Sequence, residues 1–290
     1  MTFVAVIGAG DIGGAAAHAL ASLESVNRVL LVDASAGAAA GKALDIQQAG
    51  AIAGFHTALE GTDDITRVIG CAVCIVADRF TEGSREWTGD DGLAMLGRLF
   101  PMLSRAPIVL AGASQGGLID TAARELGVPR RRLIGSAPDA FASAARAIVA
   151  LEAGCSPSEV NLAVLGRPPD GLVIPWSESS IAGHALERRL EQVQILKIES
   201  RVGRLWPPGP YALGMAAARV TTAILGSARA SYSIMTALEG EFGIRTGVGI
   251  VPAALSRTGI AATSAPTLTS RESVKLMSAL DAVAARSARP

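Results

Sequence analysis

The sequence predicts an α/β protein in which a doubly wound parallel sheet comes first and a lobe of mixed α+β character follows. Three observations predict it. The chain opens on an uncharged, β-branched run that ends in spaced glycines. Short apolar runs then alternate with helix-like stretches through residues 1–137, the pattern of parallel strands joined by crossover helices. From Pro138 onward the helices lengthen and a late β-rich stretch appears, so residues 138–290 read as a second lobe.

Thr2 to Ile7 is apolar without alternation, as expected of a strand buried on both faces. It runs into Gly8, Gly10 and Gly13, which spell G-x-G-x-x-G. In that motif the first glycine permits a tight turn, the second lets backbone approach a pyrophosphate, and the third lets helix and strand pack closely. A helix from about Asp11 would aim its free N–H groups and positive dipole end at the phosphates. A second apolar run, Val29 to Val32, ends in Asp33, 20 positions beyond Gly13, near the spacing at which a carboxylate accepts from an adenosine ribose. Glycines also serve ordinary turns, but here strand, turn, helix, strand and acid fall in order. The first lobe is therefore expected to be a Rossmann-type dinucleotide-binding domain, with Gly8, Gly10, Asp11, Ile12, Gly13 and Asp33 as its binding residues. A carboxylate at position 33 repels a 2′-phosphate, and Ala34 and Ser35 offer no arginine for one. NAD(H) is expected over NADP(H).

Further along, GAAAGKALDIQQAG reads as helix closed by Gly50 and Gly54, followed by a short strand near Thr57 and a helix from Asp63. Cys71 to Ala77 is another buried strand, which delivers the chain to the polar connection ADRFTEGSREWTGDDG. Helix then runs to about Ser104, Ile108 to Ala111 is a strand, and GVPRRRLIG is a turn into a short strand, its arginines expected in solvent. Asp139 to Gly154 is helical. Strands at Val160 to Leu165 and Leu172 to Ile174 precede a helix around His184 to Val202. WPPGPYA stops the chain before a helix from Tyr211 to Leu225. The stretch from Tyr232 through ALEGEFGIRTGVGIVPAAL is β-rich, and Ser270 to Ala285 is a closing helix.

The 26 basic and 26 acidic side chains cancel, so neither nucleic acid nor an anionic membrane is an expected partner. A small-molecule partner is. Half of the residues are hydrophobic, yet much of that is alanine and no uninterrupted apolar run nears the length of a membrane span. No basic segment precedes the first apolar run, which is already used as a strand, so a signal peptide is not expected and a cytoplasmic location is. Cys71, Cys74 and Cys155 cannot build a disulfide framework. The C-x-x-C of Cys71 and Cys74 falls in a buried strand, where positions three apart face opposite ways, so all three are expected as core thiols.

With this order in view the chain resembles the malate and lactate dehydrogenases over nearly its whole length. The matching stretches are VAVIGAGDIGG, LVDASAGAAAGKALDI, GVPRRRLIG, EVNLAVLG, SSIAGHAL, PPGPYALGMAAARVTTAIL, LEGEFGIRTGVGIVPAAL and LTSRESVKLMSALDAV. The resemblance implies NAD as cofactor, a homo-oligomer (dimer or tetramer), and hydride transfer to or from a 2-hydroxy acid. Four groups carry that chemistry: a histidine acid/base, an aspartate that orients it, and two substrate arginines.

The sequence departs from this pattern at each of them. Where the family has G-G-H-G-D, this chain reads Gly166-Arg167-Pro168-Pro169-Asp170, and proline at the histidine's place cannot exchange a proton. Counting from Ile134-Gly135, the family's D-S-A-R falls on Phe141-Ala142-Ser143-Ala144. Asp139 and Arg146 lie two positions off, which on a helix turns a side chain by about 200°, so Asp139 reads as a first-turn acid. The mobile P-R-K-P-G-M loop, which carries an arginine that closes on substrate, is replaced by FTEGSREWTGDD. Arg79, just before it, and Arg85, within it, are the candidates for that arginine, but Glu82 and Glu86 sit beside them and surface pairing is the expected use. The T-N-P turn beside the nicotinamide becomes Ala111-Gly112-Ala113. His184, Asp170, Glu178 and Tyr211 are the substitutes that could serve as acid or base; His18 and His56 read as structural. No residue is assigned as catalytic. Two readings follow. The departures favour a non-catalytic or regulatory NAD(H)-binding protein, while the retained glycine turn, Asp33 and complete second lobe favour an oxidoreductase rebuilt for another substrate.

Overall fold

The computed structural model describes residues 2–81, 85–227 and 230–287. The opening run forms β1 (Phe3–Ile7), buried throughout. Its side chains alternate between two cores. Val4 and Val6 join Val29, Leu31, Val73, Ile75 and Val109 on one face. Phe3, Ala5 and Ile7 join Leu30, Val32, Cys74, Val76 and Leu110 on the other. With apolar layers on both sides, no polar alternation can be written into these strands.

After β1 come α1 (Asp11–Ser22), β2 (Arg28–Val32), α2 (Ala36–Ala53) and β3 (Ala58–Thr62). α2 begins where the Ser35 hydroxyl accepts from the Ala38 N–H at 3.4 Å. It ends at Gly54, whose φ of 82° is the left-handed conformation glycine adopts without strain. Gly50, expected to close this helix, lies inside it against Phe55. β4 (Val73–Val76), the short ribbon β5 (Asp78–Arg79) and β6 (Arg85–Glu86), α3 (Gly89–Leu99), β7 (Ile108–Leu110), α4 (Gly116–Glu125) and β8 (Leu133–Gly135) complete the first half. The parallel order is β3-β2-β1-β4-β7-β8, the 3-2-1-4-5-6 arrangement of the Rossmann fold. Its direction reverses between β1 and β4, and the crevice beyond their carboxyl ends is where such sheets take ligands.

The second half comprises α5 (Ala137–Ala153), β9 (Val160–Asn161), β10 (Leu165–Arg167), β11 (Gly171–Val173), β12 (Ser180–Ile181), β13 (His184–Ala185), α6 (Gln192–Val202), α7 (Pro210–Gly226), β14 (Ser231–Ala237), β15 (Val248–Ser256), β16 (Gly259–Thr263) and α8 (Ser270–Ser287). β14 pairs antiparallel with β8. One 11-stranded sheet therefore continues through β15, β10 and β11, with β16 beside β15, while β9, β12 and β13 form a small sheet of their own. No helix among the described residues is long and apolar enough to cross a membrane.

Several elements differ from expectation. The helix expected from Asp63 is a single 3-10 turn, Ile65–Val68, capped by Asp64. α4 is a helix the sequence does not announce, because Gly116, Gly117 and Thr121 weaken its local signal; burial of Leu118, Ile119 and Ala122 holds it. The stretch Val160 to Leu165 divides between β9 and β10, which belong to different sheets. His184 is in a strand, not a helix: β12 and β13 pair across a turn, and α6 starts only at Gln192, where the Glu191 N–H donates to Gln194 Oε1 at 2.8 Å.

The arginines of GVPRRRLIG are not all in solvent. Arg130 Nη1 donates to Glu241 Oε2 at 3.0 Å and to the Ala237 carbonyl. Arg132, 8% exposed, donates to the Ala106 carbonyl at 2.8 Å and stacks on Phe100. Both tie the entry of β8 to neighbouring chain. Cys71 and Cys74 are buried and Cys155 is half-buried, all as free thiols. Cys71 precedes β4 instead of belonging to it, so the two thiols meet; that contact and burial push the Cys74 thiol up.

Candidate functional site: the glycine turn and its internal carboxylates

The crevice at the reversal point is built from the end of β1, the start of α1 and the end of β4. Gly8 has φ 103°, and a Cβ on it would collide with the main chain of Asp78. A Cβ on Gly13 would collide with the Gly8 carbonyl. These two glycines set the close packing of turn on strand that the motif predicts. The Gly10 N–H donates to the Asp78 carbonyl at 3.0 Å.

The amides at the start of α1 have no acceptor within their own helix. They have one in Asp78. Its Oδ2 accepts from the Ile12 N–H at 3.1 Å and its Oδ1 from the Gly13 N–H at 2.8 Å. Asp78 is 1% exposed, so its charge is held by these amides and the helix dipole. Lys42 closes the other side, its Nζ donating to the Gly10 carbonyl at 2.9 Å. Asp11 is exposed at the first position of α1.

Asp33, 7% exposed, stands at the end of β2 as the sequence predicts, and its carboxylate meets backbone. Oδ2 accepts from the Ala9 N–H and the Phe80 N–H, each at 2.9 Å, and Oδ1 accepts from the Ser35 N–H at 3.0 Å. A third carboxylate lies beyond. Asp78 and Glu86 are partners in the β5–β6 ribbon. Glu86 caps the turn after β7, accepting from the Ala113 N–H at 3.0 Å and the Ser114 N–H at 2.7 Å. Buried Gln115 joins the same region, accepting from the Gly112 N–H and donating to the Ala77 and Trp87 carbonyls. Asp78 and Glu86 thus put negative charge on the glycine turn and on the Ala111-Gly112-Ala113 turn. A dinucleotide pyrophosphate would draw on the amides at this helix start, two of which Asp78 already satisfies.

Arg79 pairs with Asp91 at 3.4 Å, not with the Glu82 or Glu86 beside it in sequence, and lies over Trp87; Glu86 is taken by the turn after β7, Arg85 is exposed, and Glu82 lies outside the described residues. In the second half, Pro168 and Asp170 line an open depression of about 730 Å³ between the β10–β11 turn and α8. Phe141, 1% exposed, faces Trp206 within the apolar core of this half and walls a 230 Å³ cavity with Trp176 and Val202. Ala144 is half-buried one turn on. Asp139 is buried in the first turn of α5, 3.2 Å from Arg219 of α7, and burial pushes its carboxyl up against the pull of Arg219 and Arg146. Arg146 itself donates to Ser143 Oγ at 2.8 Å.

The substitute acids and bases do not gather. His184 is exposed in β13, Glu178 is exposed in the 3-10 turn before β12, and Tyr211 is exposed at the start of α7. His56 pairs with Glu24, and His18 meets Phe55 edge-on. Sequence reasoning missed Asp78 and Gln115, and read Glu86 as a surface partner of the neighbouring arginines where it instead caps the turn after β7. The available signal was Asp78 itself, a carboxylate directly after a buried strand that the sheet order places beside the glycine turn.

No protein-family model matches the sequence. Malate dehydrogenase of Thioalkalivibrio sulfidiphilus is 30% identical over 276 residues, covering 90% of each chain. That of Thermomicrobium roseum is 27% identical over 299 residues, covering 97% of this chain and 95% of its own. Among solved structures, Salinibacter ruber malate dehydrogenase superposes with a TM-score of 0.85 at 25% identity over 98% of this chain and 96% of its own. Cryptosporidium parvum lactate dehydrogenase, solved with lactic acid and nicotinamide adenine dinucleotide, gives 0.86 at 22% identity over 100% of this chain and 99% of its own. With sheet order, glycine turn and full-length similarity in agreement, the chain belongs to the malate/lactate dehydrogenase family.

Proposed function

We propose that this protein keeps the dehydrogenase scaffold without malate or lactate dehydrogenase chemistry, and that it serves a regulatory or other non-catalytic role responsive to NAD(H). The observation that carries this is Pro168 in the position that the family resemblance gives to the acid/base histidine. A ring with no titratable group cannot take or return the substrate's proton. Phe141, seated in apolar core, supports the same reading: a carboxylate there would lack the imidazole it orients and would be a buried, uncompensated charge. Ala144 carries no guanidinium for a substrate carboxylate. In this proposal residues 1–137 form the dinucleotide domain and residues 138–290 the substrate-type domain, in a homo-oligomer of two or four chains. NAD(H) is preferred over NADP(H) because Asp33 repels a 2′-phosphate. The rival reading, an oxidoreductase with a rebuilt site, needs two converging polar groups, and Asp170, His184, Glu178 and Tyr211 stand on separate elements.

Steady-state assays with malate, lactate, oxaloacetate and pyruvate at saturating NAD(H) test it. General acid/base help is worth about 10² to 10⁴ in rate and the arginine clamp missing at Ala144 about a further factor of 30, so turnover should fall roughly 10³ or more below the enzyme median of about 10 s⁻¹. Pro168→His alone should not restore it, because Phe141 and Ala144 leave the imidazole unoriented and the substrate unpaired. Turnover near the median in the unaltered protein would overturn the proposal.

A further inference from the structure

We infer that Asp78 is a built-in competitor for the phosphate site: its carboxylate takes the place of a dinucleotide pyrophosphate on the glycine turn, and NAD(H) binds only when that carboxylate leaves. This rests on the NAD(H) reading above and adds how that site is controlled.

Asp78 directly follows Ala77 at the end of β4, and β1 and β4 are the strands between which the sheet order reverses. The ligand crevice of such a sheet lies beyond these two carboxyl ends. The contacts are those a phosphate would make. Both carboxylate oxygens accept from first-turn amides of α1, those of Ile12 and Gly13, where the dipole favours an anion. A carboxylate and a phosphate oxygen compete for the same N–H groups, and two anions on one set of donors repel, so binding of either excludes the other.

The main chain that carries this carboxylate is held from behind. Gly10 donates to the Asp78 carbonyl, and the main chain of Asp78 lies so close to Gly8 that a Cβ there has no room. Asp33 accepts from the Phe80 N–H two residues on, so the acid expected to bind a ribose braces the same segment. The resting protein therefore satisfies its own phosphate-binding amides and gains little from a free dinucleotide. Asp78 is not a catalytic residue here; it sets whether the site is open.

The experiment measures NADH binding by calorimetry and by NADH fluorescence, with melting temperature as an independent readout. It uses the full-length native protein, Asp78→Ser and Asp78→Asn, with NADH and inorganic pyrophosphate as probes. The serine variant removes the anion; the asparagine variant removes the charge and keeps one acceptor for the helix amides. The native protein should bind NADH only in the millimolar range, with no rise in melting temperature from either probe. Each variant should melt lower than the native protein, bind NADH at least tenfold more tightly, and recover melting temperature when NADH or pyrophosphate is added. Recovery with pyrophosphate but not with NADH would uphold the built-in anion and overturn the NAD(H) reading. Micromolar NADH binding by the native protein would overturn the inference without any variant. A folded variant, shown by its circular dichroism, that responds to neither probe would overturn it as well.

Discussion

Glu241 shows how a few charged groups hold remote parts of the chain together. The Arg130 guanidinium, then backbone N–H groups and the Thr263 hydroxyl, hold its carboxyl at about 2, against an ordinary value of 4.5 and against the opposing effect of burial. A carboxyl lowered on folding stabilises the native state above its unfolded value, and that contribution is lost as pH falls toward the folded one. Melting temperature should therefore fall between about pH 5 and pH 2, more steeply in the native protein than in Glu241→Gln, which should be the less stable of the two at pH 7. Parallel curves for the two proteins would show that the pair contributes nothing. Asp33 is the second case. Asp33→Ala leaves the Ala9, Ser35 and Phe80 N–H groups without their acceptor, at a cost of about 2 kcal/mol, which urea unfolding can read directly. The variant should also narrow any preference for NADH over NADPH. The position of Asp33 was legible because strand, turn and helix fix the end of β2. Its partners were not, since Phe80 is 47 positions away and only the assembled sheet brings β4 beside β1.

At the scale of elements, α1 and α7 illustrate what alanine and glycine do in this chain. Ala15 and Ala16 of α1 lie against Gly214 of α7, and a Cβ on Gly214 would overlap their backbone. Gly214→Val should then force the helices apart and cost about 1–3 kcal/mol, measured as a lower midpoint of urea unfolding with unchanged secondary structure by circular dichroism. An unchanged midpoint would show that the contact has slack. The same helices explain which elements could be read from sequence. β1, β2, α1 and α7 carry continuous apolar or alanine-rich runs with clear stops, and they are where the residues predict them. α4 and the β12–β13 pair owe their form to neighbours: α4 to buried Leu118 and Ile119, β12 to its pairing with both β9 and β13. Local sequence cannot express such pairing, because the partner strand is set by tertiary contacts. The candidate site divides in the same way. Its glycine turn is local and legible, whereas the carboxylates that close on it arrive from the ribbon after β4.

For the whole molecule, the remaining expectation is association with further copies of the chain, and the surface offers a place for it. Tyr211 and Met215, one turn apart on α7, are 86% and 52% exposed. Leu44 and Ile52, two turns apart on α2, are 57% and 93% exposed. α1, α2 and the start of α7 converge around an open cavity of about 620 Å³ whose walls include His18, Lys42, Ile46, Tyr211 and Met215. Single exposed apolar side chains are ordinary; Tyr211 and Met215, which share one cavity wall, are the pair that the oligomer expectation places at a subunit contact. The zero formal net charge sets no long-range barrier to self-association. Multi-angle light scattering should therefore give a particle of two or four times 29.5 kDa. Ile52→Glu combined with Met215→Glu should shift it toward 29.5 kDa, since desolvating a carboxylate at each side of such a contact opposes association. Because both positions are already exposed in the single chain, these changes should leave its melting transition cooperative. A particle of 29.5 kDa at every workable concentration of the unaltered protein would rule out the oligomer. A multimer that persists in the double variant would instead place the interface on another face.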